Sequence, residues 1–469
     1  MLIETGKLYD VYKDRIQINY DLDRTLVSFQ ANKSNPFFNW FKYKEGFSAT
    51  LIEHLLYSAY GDNKGVLLDP FAGTGSAMFM ARDMGWRAIG IEFLPVGQFI
   101  MQSRVAAERV DVEQFNRAVD ALLEYLNSYD IKDIPKDTTS LFNSVMITRG
   151  AFSEETLKYM KLYKLFKWSN NDVRQLLEFA CFSILESISY TQKDGAYLRW
   201  DHRSGRFGTK FDKGYIPDFK EAITNKLNEM RADLNGQSVD GQMHLFKPVT
   251  TSQGSLGVKD GSCLNIMLKM ESESIDVVIT SPPYCNRYDY TRNYALELVY
   301  LGNCEVVIKD LRQSLLSSTT ENKDKMERLR SLYSVYDYGH RYDLILATLE
   351  SHEALQEVIG VLEDKARKKE LNNVGIPKMV KNYFYEMGFV VFELARVLKH
   401  GGKVFMVNDN VQYAGVEIPV DLILSDLAVA FGLKVDAIWV LPRGKGNSPQ
   451  QMERMGRKEL RKCTYVWSK

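Results

Sequence analysis

Residues 64–92 constrain the fold more than any other stretch, because their apolar and glycine spacing reads strand, glycine-rich turn, helix, strand. GVLLDP is a short apolar run, FAGTGS a turn, AMFMARDMG a helix ending at Gly85, and WRAIGIE a second strand. Parallel strands need such a crossover, so this is a βαβ unit within a sheet covered on both faces. The alternation returns late in the chain. IDVVIT, Ile275–Thr280, is nearly all apolar, as in a strand buried on both faces, and it stops at two prolines. FELARVLKHGG reads as an amphipathic helix ending in glycines, followed by the strand KVFMVN. PVDLILSDLAVAFG reads as a further helix, and LKVDAIWVLP and CTYVWSK as strands. The expected fold is α/β: a doubly wound, mostly parallel, Rossmann-like sheet closed by an antiparallel hairpin.

With 469 residues, the chain is longer than one ordinary domain. Two stretches interrupt the alternation: residues 110–257, mostly helical in pattern with a polar centre, and residues 302–377, helical and charge-rich. Both are expected to be insertions that recognise a substrate or partner. No run of about 18 apolar residues is present, and MLIETGKLYDVYKDR carries charges where a signal peptide needs an apolar stretch, so a cytoplasmic protein without a membrane partner is expected. Cys181, Cys263, Cys285, Cys304 and Cys463 are scattered, and no histidine shares a motif with another, so neither a disulfide framework nor a metal site is expected. Sixty basic and sixty acidic residues cancel, so any nucleic-acid binding must come from local patches.

In DPFAGTGS, Gly73 and Gly75 permit a sharp turn and a close approach of backbone to a ligand. Glu92 ends the next strand, where an acid can accept hydrogen bonds from both hydroxyls of a ribose. Such turns also occur in nicotinamide enzymes and as ordinary turn chemistry. The missing third glycine of GxGxxG and the missing lysine of a phosphate-binding loop favour a ligand without phosphates.

After IDVVIT come Ser281, Pro282, Pro283 and Tyr284. Consecutive prolines give a stiff exit from the strand and donate no backbone hydrogen bonds. A rigid hydroxyl, a free carbonyl and an aromatic ring suit the acceptance of an NH2 group from a flat base stacked on the ring. The alternative is a proline-stiffened loop with a surface tyrosine. Ligands of open α/β sheets gather at the carboxyl ends of strands near the switch point, and the pairing with DPFAGTGS therefore favours the first reading.

These residues resemble the amino-methyltransferase family of DNA modification enzymes, which act on cytosine N4 or adenine N6. DPFAGTGS is similar to its motif I, Glu92 to the motif II acid, TSPPY to the catalytic motif IV, FSATLIEHLL (residues 47–56) to motif X, and KVFMVN with the segments after it to motifs V to VIII. The resemblance implies a class I methyltransferase fold, S-adenosyl-L-methionine as cofactor and double-stranded DNA as substrate. It implies a cofactor site of Phe47, Ser48, Thr50, Asp69, Pro70, Phe71, Ala72, Gly73, Thr74, Gly75, Ser76, Glu92 and Ser262. It further implies catalysis by Ser281, Pro282, Pro283 and Tyr284, with Ser281 and the Pro282 carbonyl accepting the amino hydrogens and Tyr284 stacking on a flipped base. SPPY in place of DPPY leans toward N4-cytosine. The catalytic domain is then expected in three parts, residues 1–109, 258–301 and 378–469, separated by the two insertions, the first a candidate target-recognition region. Two departures stand out. Ser262 follows Gly261 where motif III usually has an acid, and a long insertion before motif III matches no standard motif order.

Two basic patches are candidates for holding DNA. Residues 193–213 interleave Lys193, Arg199, Arg203, Arg206, Lys210 and Lys213 with Tyr197, Trp200 and Phe207. Residues 443–462 carry Arg443 and Lys445 for phosphates, and Asn447 and Gln450 for base edges. Either could instead be a solvated hairpin or a charged connection. Arg287 and Tyr290, just after SPPY, are expected to line the base pocket. As partner the resemblance implies a cognate restriction endonuclease or another defence-system subunit. The competing readings are an RNA or protein-amine methyltransferase and a catalytically silent subunit of a methyltransferase assembly.

Overall fold

The computed structural model describes residues 2–22, 26, 37–43, 46, 48–135, 140–195, 197–236, 254–442, 445–446 and 459–469. Eight strands share one sheet: β1 (Ile16–Ile18), β2 (Val66–Asp69), β3 (Arg87–Glu92), β4 (Ser255–Asp260), β5 (Ile275–Thr280), β6 (Leu398–Asp409), β7 (Lys434–Val440) and β8 (Lys462–Ser468). Their order is β1-β7-β8-β6-β5-β2-β3-β4. The run β6-β5-β2-β3-β4 is parallel throughout, and β1 is parallel to β7. Strand β8 alone runs antiparallel, between β6 and β7. The chain winds outward from β2 to β3 and β4, then returns to β5 on the other side of β2. Strand order therefore reverses between β2 and β5, which is where a crevice opens at the carboxyl ends.

Strand β5 lies at the centre of the sheet, and its composition follows from that. Val277 and Ile279 pack with Leu67, Met78 and Phe405 on one face, and Val278 packs with Leu68, Val404 and Met406 on the other. Both faces are dry, so the strand has no polar alternation. The 22-residue helix Ile376–Val397 is apolar almost all round. Its residues join one core with the sheet and with Tyr333, Ile345 and Leu355 of the helices Met326–Val335, Gly339–Ser351 and Glu353–Arg367, and burial on every side is what such a helix requires.

Between β3 and β4 the described chain is mostly helical, but it also contains a β-hairpin, Thr191–Asp194 paired with Tyr197–Trp200. This stretch has its own apolar core, built around Phe115, Leu122, Phe179, Phe182 and Phe219. The core continues into Tyr294 and Leu298, just past TSPPY. Between the hairpin and the helix Ala295–Tyr300, Lys193 Nζ lies 2.6 Å from Glu297 Oε1 with both side chains buried. No described helix is long and apolar enough to cross a membrane.

Candidate active site

Strands β2 and β5 pair in parallel, Leu67 opposite Val277 and Leu68 opposite Val278, so Asp69 and Thr280 end side by side. Thr280 Oγ1 donates to Asp69 Oδ1 at 2.7 Å, and both residues are buried. The same oxygen accepts the Phe71 N–H at 3.1 Å. One carboxylate thus fastens the start of DPFAGTGS to the residue that precedes Ser281.

The glycine turn is shaped by two left-handed residues, Gly73 at φ +54° and Gly75 at φ +79°. A Cβ on Gly75 would lie 2.9 Å from Met101 and Phe79, so the position also needs glycine for packing. The buried Glu92 then closes the loop from the neighbouring strand. Its Oε2 accepts the Gly73 N–H and its Oε1 the Leu94 N–H, each at 2.6 Å. Gln98 Nε2 donates to the Glu92 carbonyl at 2.9 Å and to Asp260 Oδ1 at 2.6 Å, which ties the ends of β3 and β4 together. Asp260 is therefore the acid at the end of β4, one residue before Gly261.

An open cleft of about 840 Å³, its solvent mouth included, lies over these strand ends. Asp69, Pro70, Phe71, Ala72, Gly73, Thr74, Ser76, Glu92 and Ser262 all line it, together with Ser281 and Pro283. Gly75 shapes the turn from behind. Ser48 is buried as the N-cap of helix Ala49–Tyr60: its hydroxyl accepts from Leu51 N at 3.2 Å and donates to the Leu26 carbonyl at 2.6 Å. Thr50 is exposed, and Phe47 lies outside the described residues. The cleft is also walled by Tyr43, Phe93, Leu94, Cys263, Leu315 and Leu316, none of which the sequence singled out. Tyr43 is stacked on Tyr294, ring centroids 5.2 Å apart.

Burial raises the carboxyl groups of Asp69 and Glu92, each to about 7. Both are therefore poised to change charge near neutrality.

Ser281 Oγ donates to Tyr284 Oη at 3.3 Å. Pro282 is buried, and Tyr413 Oη holds the Cys285 carbonyl at 2.6 Å, so the exit from β5 is fixed on both sides. Cys285 is fully buried and its thiol is pushed far up by burial, which suits a wall residue and not a nucleophile. Tyr290 lines the cleft, and Arg287, at φ +66°, donates to Asn372 Oδ1 at 3.2 Å.

The first basic patch is largely consumed by internal contacts. Arg203 makes two bonds to the buried Asp201, at 2.7 and 2.8 Å. Arg206 donates to the Met146, Ile147 and Arg149 carbonyls and lies 3.3 Å from the Trp200 ring centroid. Lys193 is in the buried pair with Glu297, and Lys213 donates to the carbonyls of Glu186 and Ser189. Arg199 is half exposed, near Asp194 and over the Phe211 ring, and Lys210 is exposed. Asp201, His202 and Asp212 offer atoms within 4.8 Å of one another, but Asp201 already accepts the Arg203 guanidinium. In the second patch Arg443, Asn447 and Gln450 lie outside the described residues, and Lys445 pairs through its backbone with Leu460.

A mostly parallel sheet whose switch point brings a glycine turn, a buried acid and Ser281 and Pro283 of TSPPY to one cleft has the architecture of an α/β methyltransferase. The chain is 46% identical over 463 residues to the Type II methyltransferase M.AvaI of Nostoc sp., covering 98% of this chain and 92% of that protein. M.AvaI of Anabaena variabilis matches to the same extent. Type II methyltransferase M.BsoBI of Geobacillus stearothermophilus is 38% identical over 488 residues, covering 100% of this chain and 92% of its own. No protein-family model and no solved structure matches the chain. The chain belongs to the type II DNA methyltransferases.

Proposed function

We propose that the protein transfers a methyl group from S-adenosyl-L-methionine to an exocyclic amino group of a base flipped out of double-stranded DNA, with cytosine N4 favoured over adenine N6, in a restriction-modification or related defence system. The observation that carries this reading is the Thr280–Asp69 bond, which fastens the strand end before Ser281 to the glycine turn, with Ser281 and Pro283 lining the same cleft as that turn.

The donor set fits the cofactor. Two buried carboxylates facing an otherwise apolar cleft suit a ligand that brings hydroxyl donors and positive charge without phosphates. In this reading Glu92 accepts from the ribose hydroxyls with the lone pairs that Gly73 and Leu94 leave, and Gly73, Thr74 and Ser76 line the path of the rest. Ser262 and Gly261 wall the adenine side in place of the usual acid. When bound, the cofactor supplies an electrophilic methyl group. The protein's own task is to hold the amine. A ring-conjugated amino group is a poor nucleophile, so Ser281 and the Pro282 carbonyl polarise it by accepting its hydrogens while Tyr284 fixes the ring plane. SPPY supports cytosine N4 as the target. Residues 110–257 and 302–377 are the proposed insertions on the catalytic domain. Arg199 and Lys210 are the proposed phosphate contacts of the hairpin, with Arg203 and Arg206 shaping its loop.

Labelled S-adenosylmethionine incubated with duplex DNA or RNA, followed by digestion to nucleosides, tests the reaction. Label in N4-methylcytosine is the expected result. Label in RNA alone, or none in DNA despite cofactor binding, would sink it.

The raised carboxyl groups give a pH test. Between about pH 4 and 7 the folded chain holds protons on Asp69 and Glu92 that the unfolded chain has released, so their contribution to stability falls as pH rises through that window. A ligand that needs the ionised forms shows the opposite trend. The thermal stabilisation given by a fixed concentration of S-adenosylmethionine should therefore shrink by more than half between pH 8 and pH 6. A stabilisation independent of pH would separate these acids from the cofactor.

A further inference from the structure

The segment Ser314, Leu315, Leu316 walls the same cleft as the glycine turn, although it comes from a charge-rich stretch far from any sequence motif. It begins at the last residue of helix Glu305–Ser314, and from Leu315 to Ser318 the chain has no regular structure of its own. Beneath it lies a node of charged and polar groups. Glu386, fully buried on helix Ile376–Val397, accepts the Ser317 N–H at 2.8 Å and the Ser317 hydroxyl at 2.5 Å. Lys325 Nζ lies 2.9 Å from both Glu386 oxygens, and donates to the Leu315 carbonyl at 2.7 Å and to Ser317 Oγ at 3.0 Å.

This pair is costly to bury and is repaid only if its remaining donors and acceptors are satisfied. Here the strap satisfies them: the Leu315 carbonyl and Ser317 N–H and hydroxyl are the groups that complete the pair. The next residue, Ser318, donates to the Tyr288 carbonyl at 2.9 Å, so the strap is also pinned to the segment that follows TSPPY. Arg312, on the helix before it, reaches Thr291 Oγ1 at 3.0 Å. Beyond the Leu315 N–H, which still closes on the Leu311 carbonyl at 3.0 Å, the segment is thus fixed by side chains, at one end to the long helix and at the other to the exit of β5.

We propose that Lys325 and Glu386 are positioning residues, which hold residues 314–318 as the preformed wall of the cofactor cleft; this rests on the cofactor reading given above. Preorganisation of this kind lowers the cost of ordering a loop when a ligand binds. Loss of either partner leaves an uncompensated buried charge and loosens the strap at Leu315 and Ser317, whereas loss of both removes the charge but still leaves those two residues without their anchors.

Three variants separate positioning from plain stability. Lys325→Met should raise the KM for S-adenosylmethionine at least 10-fold and change kcat at saturating cofactor by less than about 3-fold. Lys325→Met combined with Glu386→Leu should regain most of the thermal midpoint lost by the single variant yet keep the raised KM. Ser317→Ala, which leaves the pair intact and is the variant to use if Lys325→Met does not fold, should raise KM about 3-fold. In the cofactor-free protein, hydrogen exchange of residues 314–318 should quicken at least 10-fold in Lys325→Met while β2 and β5 stay as protected as in the wild type. Recovery of both stability and KM in the double variant, or unchanged exchange of the strap, would overturn the proposal. A wild type that binds no S-adenosylmethionine is a failure of the cofactor reading instead, and the exchange measurement still decides whether the pair fixes the strap.

Discussion

Ser281→Ala and Tyr284→Ala are each expected to lower kcat by about 10² to 10³-fold, equivalent to about 2.7–4 kcal/mol, while leaving the affinity for S-adenosylmethionine within about 2-fold of the wild type. The magnitude is that of removing one positioned polar group from a preorganised site. The selectivity follows from where the bonds run. Ser281 Oγ meets Tyr284 Oη, whereas the glycine turn is held by Asp69 and Glu92, so truncation of the first pair leaves the second intact. Tyr284→Phe sharpens the test. It keeps the ring and removes the oxygen that accepts from Ser281, so a loss of only a few fold assigns Tyr284 to stacking, and a loss equal to that of Tyr284→Ala assigns it to orienting Ser281. Rapid-quench single-turnover kinetics with calorimetric cofactor titration measure both quantities. Equal loss of rate and cofactor affinity in Ser281→Ala would mean that TSPPY is part of the cofactor site and not of the base site.

That such a test can be framed from a sequence reflects which signals are local. The βαβ unit at residues 64–92 is legible because glycines mark the turn and apolar runs mark the strands, and β5 because a strand with no polar alternation must be buried on both faces. Strand β4 is not legible because SLGVKD has only Leu256 and Val258 to mark it and lies at the sheet edge, largely exposed. The hairpin at residues 191–200 answers to the solvated-hairpin alternative for residues 193–213, within a stretch that is otherwise helical. Its basic and aromatic residues read as a surface, yet strand alternation turns Thr191, Lys193 and Leu198 inward, where Lys193 meets Glu297. Tyr43, Leu315 and Leu316 carried no signal at all. They reach the cleft by contacts made across long separations in the chain, and no local pattern encodes those. The motif III position shows a subtler limit. Ser262 stands in the cleft wall where the family pattern has an acid, and the neighbouring acid, the exposed Asp260 at the end of β4, is joined through Gln98 to the strand that carries Glu92.

Glu92 is the position at which the largest loss of cofactor affinity is expected. Its two oxygens accept backbone N–H groups from opposite sides, Gly73 and Leu94, each at 2.6 Å, in a buried setting. A carboxylate can do this because it is acceptor-only, whereas a glutamine of the same shape must turn its NH2 group toward one of the two donors. Glu92→Gln therefore leaves one buried N–H facing another donor and removes the charge as well. That donor costs stability in the free and the bound protein alike; what binding loses is the charged acceptor of the ribose hydroxyls, a charge-assisted contact of about 1.5–3 kcal/mol, so the affinity for S-adenosylmethionine should fall about 100-fold, or roughly 2.7 kcal/mol. The turn itself is also held by the Gly75 N–H to the Ala72 carbonyl and the Ala72 N–H to the Ile91 carbonyl, at 2.7 and 3.0 Å, so the fold should survive the change. Saturating cofactor should then restore kcat to within a few fold, because Ser281 and Tyr284 are untouched. Isothermal titration gives the affinity and steady-state kinetics the split. If Glu92→Gln bound cofactor as tightly as the wild type, Glu92 would be a strut of the glycine turn alone, and the ribose hydroxyls would have to be held elsewhere in the cleft.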